Sequence, residues 1–367
     1  MCILKKALYG LKEAPRAWYS RLDKYLQKKG FKKGGVDINL YIKANENELL
    51  IVVVYVDDIM FGSKKYGLAK GFAEEMKSEF EMSMIGEITF YLGLQIQQKN
   101  TGIFISQEKY LREMLKRFQM EDCKPLSTPM IIGGKLCAND GSIDVDQKRY
   151  RSMIGILLYL TASRPDIMLA VGLVPRYQAA PKQNHLLAVK RIFRYLQGTT
   201  QYGLWYPKGK SFTLIAYTDA DWASCVDDRK STSGGAFYLG ESLVARLSKK
   251  QTSISLSTAE AEYIAAATCC TQVMWMKQTL QDMKVSIDEP ISIKCDNTSA
   301  ISISKNPVLH SKTKYHFLRE QVAQKIVKLE YVPTKEQTDD IFTKPLAREP
   351  FEYLRDRLGV VSVDAIL

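Results

Sequence analysis

The sequence predicts an α/β (α+β) protein: a small sheet-and-helix unit, then a helical middle, then a mixed-sheet α/β domain. Three observations predict it. Strand-like apolar runs at residues 49–56 and 59–61 flank Asp57-Asp58, a hairpin pattern. Apolar residues recur with a helical period in residues 151–162, 167–178 and 186–196. From residue 212 the elements run β-β-β-α-β-α-(α)-β-α, the order of one α/β domain on a mixed sheet.

Taken in order, residues 19–29 read as a helix that stops at Gly30. Residues 49–56, all apolar, are expected to present an apolar sheet edge. Residues 68–80 read as helix, 90–97 as strand and 107–118 as an amphipathic helix. Pro125, Pro129, Gly133, Gly134 and Gly141 mark residues 123–148 as a linker. Pro165 separates the next two helices. In residues 186–196, Leu186, Val189, Phe193 and Leu196 fall within a sector of about 80°. Lys190, Arg191 and Arg194 lie on another side, either a solvated basic face or a surface for a phosphate backbone. Residues 212–218, 236–239 and 243–247 read as strands with a turn at Gly234-Gly235. A long helix over 258–283, a strand over 291–295, a short helix over 298–304 and a strand over 326–332 complete the order.

Composition narrows the function. The chain has 367 residues, enough for two or three domains with their own cores. Its net charge of +12 points to polyanionic partners, nucleic acid first. The apolar run at 49–56 ends at two aspartates and is too short to cross a bilayer, so no membrane partner is expected. Lys5 and Lys6 interrupt any secretory apolar segment. Seven cysteines without a C-x-x-C argue against a disulfide scaffold or zinc ribbon, and for an intracellular setting, cytoplasm or nucleus. His185, His310 and His316 are the only histidines, too few for a His-rich metal site.

Two sets of carboxylates can carry chemistry. Asp57 and Asp58 sit at a hairpin tip between apolar strands, where a divalent cation would offset their repulsion. Mg²⁺ binds through one or two carboxylates plus substrate phosphates, which fits phosphoryl or nucleotidyl transfer; a solvated Asp-Asp turn is the bland alternative. The second set is distributed. Asp219 and Asp221 end one strand, Asp296 ends another, and Asp339 and Asp340 open the last helical stretch. On the long helix, with Ala261 at 0°, the apolar face spans about 40–120°. Glu262 falls at about 100°, on that face, and Glu260 at about 260°, facing away. Carboxylates at adjacent strand ends, plus one from a crossing helix, can converge on two metal ions about 4 Å apart. Alone, Asp296 reads equally as an N-cap.

Several collinear motifs carry a resemblance. They are Lys5-Lys6-Ala7-Leu8-Tyr9-Gly10-Leu11-Lys12-Glu13-Ala14-Pro15-Arg16-Ala17-Trp18-Tyr19, Tyr55-Val56-Asp57-Asp58-Ile59 and Tyr91-Leu92-Gly93-Leu94. With them go Ser163-Arg164-Pro165-Asp166, Tyr217-Thr218-Asp219-Ala220-Asp221-Trp222, Ser257-Thr258-Ala259-Glu260-Ala261-Glu262-Tyr263, Cys295-Asp296-Asn297 and Asp340-Ile341-Phe342-Thr343-Lys344-Pro345-Leu346. Together the chain resembles copia-type retrotransposon Pol polyproteins over nearly its whole length. The resemblance implies part of a reverse transcriptase followed by a ribonuclease H. It implies a partial palm and the start of the thumb at 1–122, the linker at 123–148 and a helical connection at 149–210. A ribonuclease H-like domain at 211–348 and a tail at 349–367 would follow. Residues 9–19, with Lys12 and Arg16, match the palm segment that holds template and nucleotide. Asp57 and Asp58 match the palm's metal-binding pair. Asp219, Glu262, Asp296 and Asp340 match the four-carboxylate ribonuclease H site, which implies two Mg²⁺ (or Mn²⁺) ions and hydrolysis of the RNA strand of an RNA–DNA hybrid. Lys190, Arg191 and Arg194 would track the duplex backbone between the two activities.

Departures from the family set further expectations. Its fingers and an upstream palm aspartate have no counterpart here, so no polymerase activity is expected from this chain alone, unless another Pol chain supplies them. About five residues usual after Lys312-Thr313-Lys314 are missing; one helical stretch shorter by ~7.5 Å and turned by ~140° would displace residues 326–332 and Asp340. Arg246 stands where Trp is frequent, which marks relaxed selection or an edge position. Asp339 replaces a usual Ala and adds repulsion beside Asp340. The alternative to an enzyme is a catalytically dead, basic nucleic-acid-binding remnant.

Overall fold

A computed structural model describes residues 10, 12–45, 48–209, 211–305 and 316–366. Most of the motif at 5–11, His310 and the region of Lys312–Lys314 lie outside the described residues. The chain forms two compact units, Met1–Glu87 with Met274–Ile287, and Ile88–Val273 with Asp288–Leu367.

In the first unit, α1 (Ala14–Lys28) carries Pro15 in its first turn, where a missing N–H costs nothing. Leu22 and Leu26, one turn apart, are its buried face. An antiparallel sheet follows in the order β1 (Lys32–Lys33), β2 (Leu40–Asn45), β3 (Glu48–Tyr55), β4 (Asp58–Ser63). Leu50, Val52 and Val54 alternate onto one buried face of β3. They pack with Phe72 and Met76 of α2 (Tyr66–Glu79) and with Phe31 and Phe80. The expected apolar edge at 49–56 is corrected: β3 is an inner strand, because β2 covers it over Leu40↔Val53 to Asn45↔Glu48. The polar tail of β2 (Lys43, Asn45) had hidden it from the pattern.

The second unit has two sheets. The first is antiparallel, in the order β14 (Val360–Ser362), β8 (Tyr202–Pro207), β7 (Gly102–Ser106), β6 (Leu94–Lys99), β5 (Phe90–Tyr91). It begins with β5 (Phe90–Tyr91), β6 (Leu94–Lys99) and β7 (Gly102–Ser106). The single strand expected over 90–97 is therefore two, broken at Leu92 and Gly93, both in the left-handed region. Helices α3 (Glu108–Arg117), α4 (Gln147–Leu160), α5 (Met168–Leu173) and α6 (Gln183–Gln197) follow, then β8 (Tyr202–Pro207).

The mixed sheet contains β9 (Leu214–Asp221), β10 (Thr232–Leu239) and β11 (Ser242–Lys250). After α7 (Thr258–Asp282) come β12 (Ile291–Cys295), α8 (Thr298–Lys305), α9 (His316–Ala323) and β13 (Val327–Tyr331). The strand order is β11-β10-β9-β12-β13, with β12 parallel to both β9 and β13 and the remaining pairs antiparallel. This is the mixed α/β arrangement expected. The turn expected at Gly234-Gly235 is corrected: both lie in the middle of β10. A Cβ on Gly234 would stand 2.6 Å from Thr343 Cγ2, and one on Gly235 2.8 Å from Cys269 Sγ. The pair lets a loop and α7 close onto the sheet, so glycine here serves close approach rather than chain reversal.

Residues 349–367, expected as a tail, contribute α10 (Arg348–Arg357) and β14 (Val360–Ser362). β14 pairs with β8, and Phe351, Leu354 and Val360 join a core with Phe193, Leu196 and Leu204. Arg164 and Asp166 are almost wholly buried and paired at 2.7 Å; Tyr195 also donates to Asp166. Among the described residues no helix is long and apolar enough to cross a membrane.

Candidate metal centre

β9 and β12 run parallel, with Thr218 opposite Cys295. The next residue on each strand is a carboxylate, so Asp219 and Asp296 emerge side by side at the same sheet end. Glu262 enters from the second turn of α7. Its Oε1 accepts from the Ala220 N–H at 3.2 Å, while Oε2 is buried without a hydrogen-bond partner. Asp340 comes from a 3₁₀ turn, Thr338–Phe342, seated over Gly234. The structure thus brings together the four carboxylates that the resemblance implied. The displacement expected from the gap after Lys314 does not occur: β13 pairs in register with β12 from Ile291↔Val327, and Asp340 reaches the cluster.

Side-chain donors engage the group as well. Thr343 Oγ1 donates to Asp219 Oδ2, and Thr334 Oγ1 to Asp296 Oδ2 at 3.0 Å. Lys344 Nζ lies 2.9 Å from Asp340 Oδ1 and 3.6 Å from Asp219 Oδ2. The remaining repulsion shows in the acidities. Burial, then Asp219 and Asp296, push the Glu262 carboxyl up to about 9. Burial and Asp219 push Asp340 up to about 6, against the pull of Lys344. Burial works against the Lys344 ammonium, yet Asp219 and Asp340 hold it above the ordinary lysine range. Such a cluster is under strong electrostatic pressure to take up cations. The buried, unpartnered Glu262 Oε2 is a lone-pair donor aimed at that role, so the residues fit a divalent ion.

Glu260 faces elsewhere, as the helical wheel predicted, and accepts from the Leu256 N–H at 2.7 Å. Sequence reasoning missed Lys344, although its spacing of four from Asp340 was visible. It also missed Cys295, whose sulfur, with ligand oxygens of Glu262 and Asp296, belongs to a set lying within 4.8 Å of one another.

Asp57 and Asp58 belong to the first unit. The β3–β4 hairpin pairs Tyr55 with Asp58, leaving Val56 and Asp57 as a two-residue turn, and both aspartates are exposed. Trp18 Nε1 donates to the Val56 carbonyl at 2.7 Å and packs edge-on to Phe80, so it anchors the tip. Among the described residues, no third His, Cys, Asp or Glu joins them within 4.8 Å. Lys12 and Arg16 are exposed at the start of α1. On α6, Arg191 donates to Thr128 Oγ1 and Arg194 to the Lys124 carbonyl, both at 2.8 Å. These two brace the linker against the helix.

The reverse transcriptase (RNA-dependent DNA polymerase) family matches residues 1–132. The Pol polyprotein of transposon RE1 from Arabidopsis thaliana is 37% identical over 99% of this chain and 25% of its own length. An uncharacterized mitochondrial protein of Arabidopsis thaliana is 34% identical over 62% of this chain and 94% of its own length. The chain belongs to the copia-type retrotransposon Pol family. It spans about a quarter of the Pol polyproteins it matches. A ribonuclease H1 isolated from compost aligns with 36% of this copia-type chain and 93% of its own, at 11% identity and a TM-score of 0.28.

Two departures within this Pol family acquire a physical account. Arg246 lies on β11, the edge strand of the mixed sheet, and donates to the Thr161 and Ala162 carbonyls that follow α4. It satisfies the carbonyl end of a helix, which an indole could not do with two donors. Asp339 is fully buried, and neither of its oxygens has a hydrogen-bond partner. Burial, with Asp219 and Asp340, holds its carboxyl well above the carboxylate range.

Proposed function

We propose that the carboxylate centre hydrolyses the RNA strand of RNA–DNA hybrids, as the ribonuclease H part of a retrotransposon Pol protein. The observation that carries this reading is the convergence of Asp219, Glu262, Asp296 and Asp340, with Glu262 Oε2 buried and unpartnered. These four side chains would hold Mg²⁺ or Mn²⁺, which when bound supply Lewis-acid stabilisation of the phosphate and a more acidic water. Asp219 is fixed for this by Thr343, Asp296 by Thr334 and Glu262 by the Ala220 amide. Lys344 offsets part of the negative charge between Asp219 and Asp340 and would be drawn toward a substrate phosphate.

In the first unit, Asp57 and Asp58 are proposed as two metal ligands of the polymerase palm, held by the Trp18 contact. A third carboxylate, and the fingers, are proposed to come from another Pol chain. The second reading, a nucleic-acid-binding remnant without hydrolysis, is favoured by one observation: the uncompensated carboxyl of Asp339 against the centre.

The deciding experiment is cleavage of a labelled RNA–DNA hybrid by the purified chain in Mg²⁺ and in Mn²⁺. Cleavage that Asp219→Asn reduces by a factor of about 10³ or more supports hydrolysis. Hybrid binding by a folded chain without cleavage supports the remnant.

A further inference from the structure

We propose that Glu262, Cys295 and Asp296 form a position for a thiophilic divalent cation, Zn²⁺ or Cd²⁺, within the carboxylate centre. The inference deepens the reading of that centre as a metal site and rests on it. Three observations carry it. The ligand atoms of the three residues lie within 4.8 Å of one another. Cys295 is fully buried, and its sulfur is fixed by the strand end and by the Asn297 amide, 3.5 Å away. Glu262 is 6% exposed, and its Oε2 has no hydrogen-bond partner.

The geometry suits a tetrahedral ion. With Zn–S near ~2.3 Å and Zn–O near ~2.1 Å, sulfur and oxygen would sit about 3.6 Å apart. Closing from 4.8 Å or less needs ~1.2 Å of movement at most, and Asp296 is the half-buried member with room to rotate. Two carboxylates and a thiolate would more than offset the charge of the divalent ion, with water in the fourth position. On binding, the Cys295 S–H bond and the Glu262 carboxyl O–H bond break, both protons pass to solvent, and S–metal and O–metal bonds form.

The sulfur separates two classes of ion. Mg²⁺ takes oxygen ligands and gains nothing from Cys295, whereas Zn²⁺ and Cd²⁺ gain a strong third ligand. A thiophilic ion therefore engages Glu262 and Asp296 in competition with Mg²⁺, and micromolar zinc would act as an inhibitor of the centre.

The test is titration of the full chain with Cd²⁺, following the ultraviolet thiolate-to-metal charge-transfer band. Mn²⁺ affinity is measured on the same proteins by calorimetry. The wild-type chain is expected to show a band for one ion that is lost in Cys295→Ser and in Cys295→Ala. Cd²⁺ affinity should fall about tenfold or more, with Mn²⁺ affinity within about twofold. Cys269→Ser, a buried thiol outside the set, should keep the band. Absence of the band in the wild-type chain overturns the proposal, as does a band unchanged by both Cys295 variants. Persistence of a Cys295-dependent band in a chain that neither binds Mn²⁺ nor cleaves hybrid would overturn the proposed hydrolysis and leave this position standing.

Discussion

Asp339 illustrates how one side chain can work against its surroundings. Its carboxyl is sealed from water with no donor to receive it, next to Asp219 and Asp340. Asp339→Ala is therefore expected to stabilise the chain by about 1–3 kcal/mol, measured by urea denaturation at pH 8. Glu262 sets a pH dependence of known sign. Its carboxyl titrates near 9 in the folded chain against an ordinary 4.5, so the folded state holds a proton that the unfolded state has lost. That contribution to stability is whole below pH 4.5 and is lost as the pH rises toward 9. Thermal melts without divalent ions should show Tm falling from pH 5 to pH 9. Glu262→Gln should flatten that fall, and Mn²⁺ should raise the high-pH end for the wild-type chain alone. Glu262 was legible in the sequence because a helical wheel needs only local geometry. The burial of Asp339 was not, because it depends on how closely a distant loop seats on β10.

At the scale of elements, Gly234 controls that seating. Gly234→Ala would drive a methyl group into Thr343 and toward the Asp339 carbonyl. A loss of about 1–3 kcal/mol is expected, with weaker Mn²⁺ binding as Thr343 leaves Asp219; denaturation and calorimetry read the two effects separately. Helices were legible wherever an apolar stripe recurred: α2, α3, α6 and α7 fall within a few residues of their expected bounds. Gly234-Gly235 misled because the dipeptide is ambiguous between turn and tight packing, and only the facing Thr343 and Cys269 decide it. The sheet containing β5 to β8 and β14 was mostly missed for a different reason. Its strands are two to six residues long and come from remote parts of the chain, so no local pattern announces their pairing.

For the molecule as a whole, the net charge of +12 favours a polyanion, but the basic residues of α6 are not equivalent. Arg191 and Arg194 hold residues 124–128, so reversing their charge would loosen the linker as well as remove charge. Lys190→Glu is the cleaner probe. Hybrid binding should weaken steeply with salt, and this variant should lower the slope of log K against log [salt] by about one. An unchanged slope would leave Lys190 as a solvated side chain. The chain order of the antiparallel sheet has a consequence for biosynthesis. β8 is an inner strand only because β14 lies against it, and β14 is made long after β8. During translation the backbone of Tyr202 to Leu204 therefore waits as an open template for any extended peptide nearby. Until Val360–Ser362 leaves the ribosome, the nascent chain is at its most vulnerable to aggregation. A chaperone that recognises exposed strands would then have the most to offer this protein between the synthesis of β8 and that of β14.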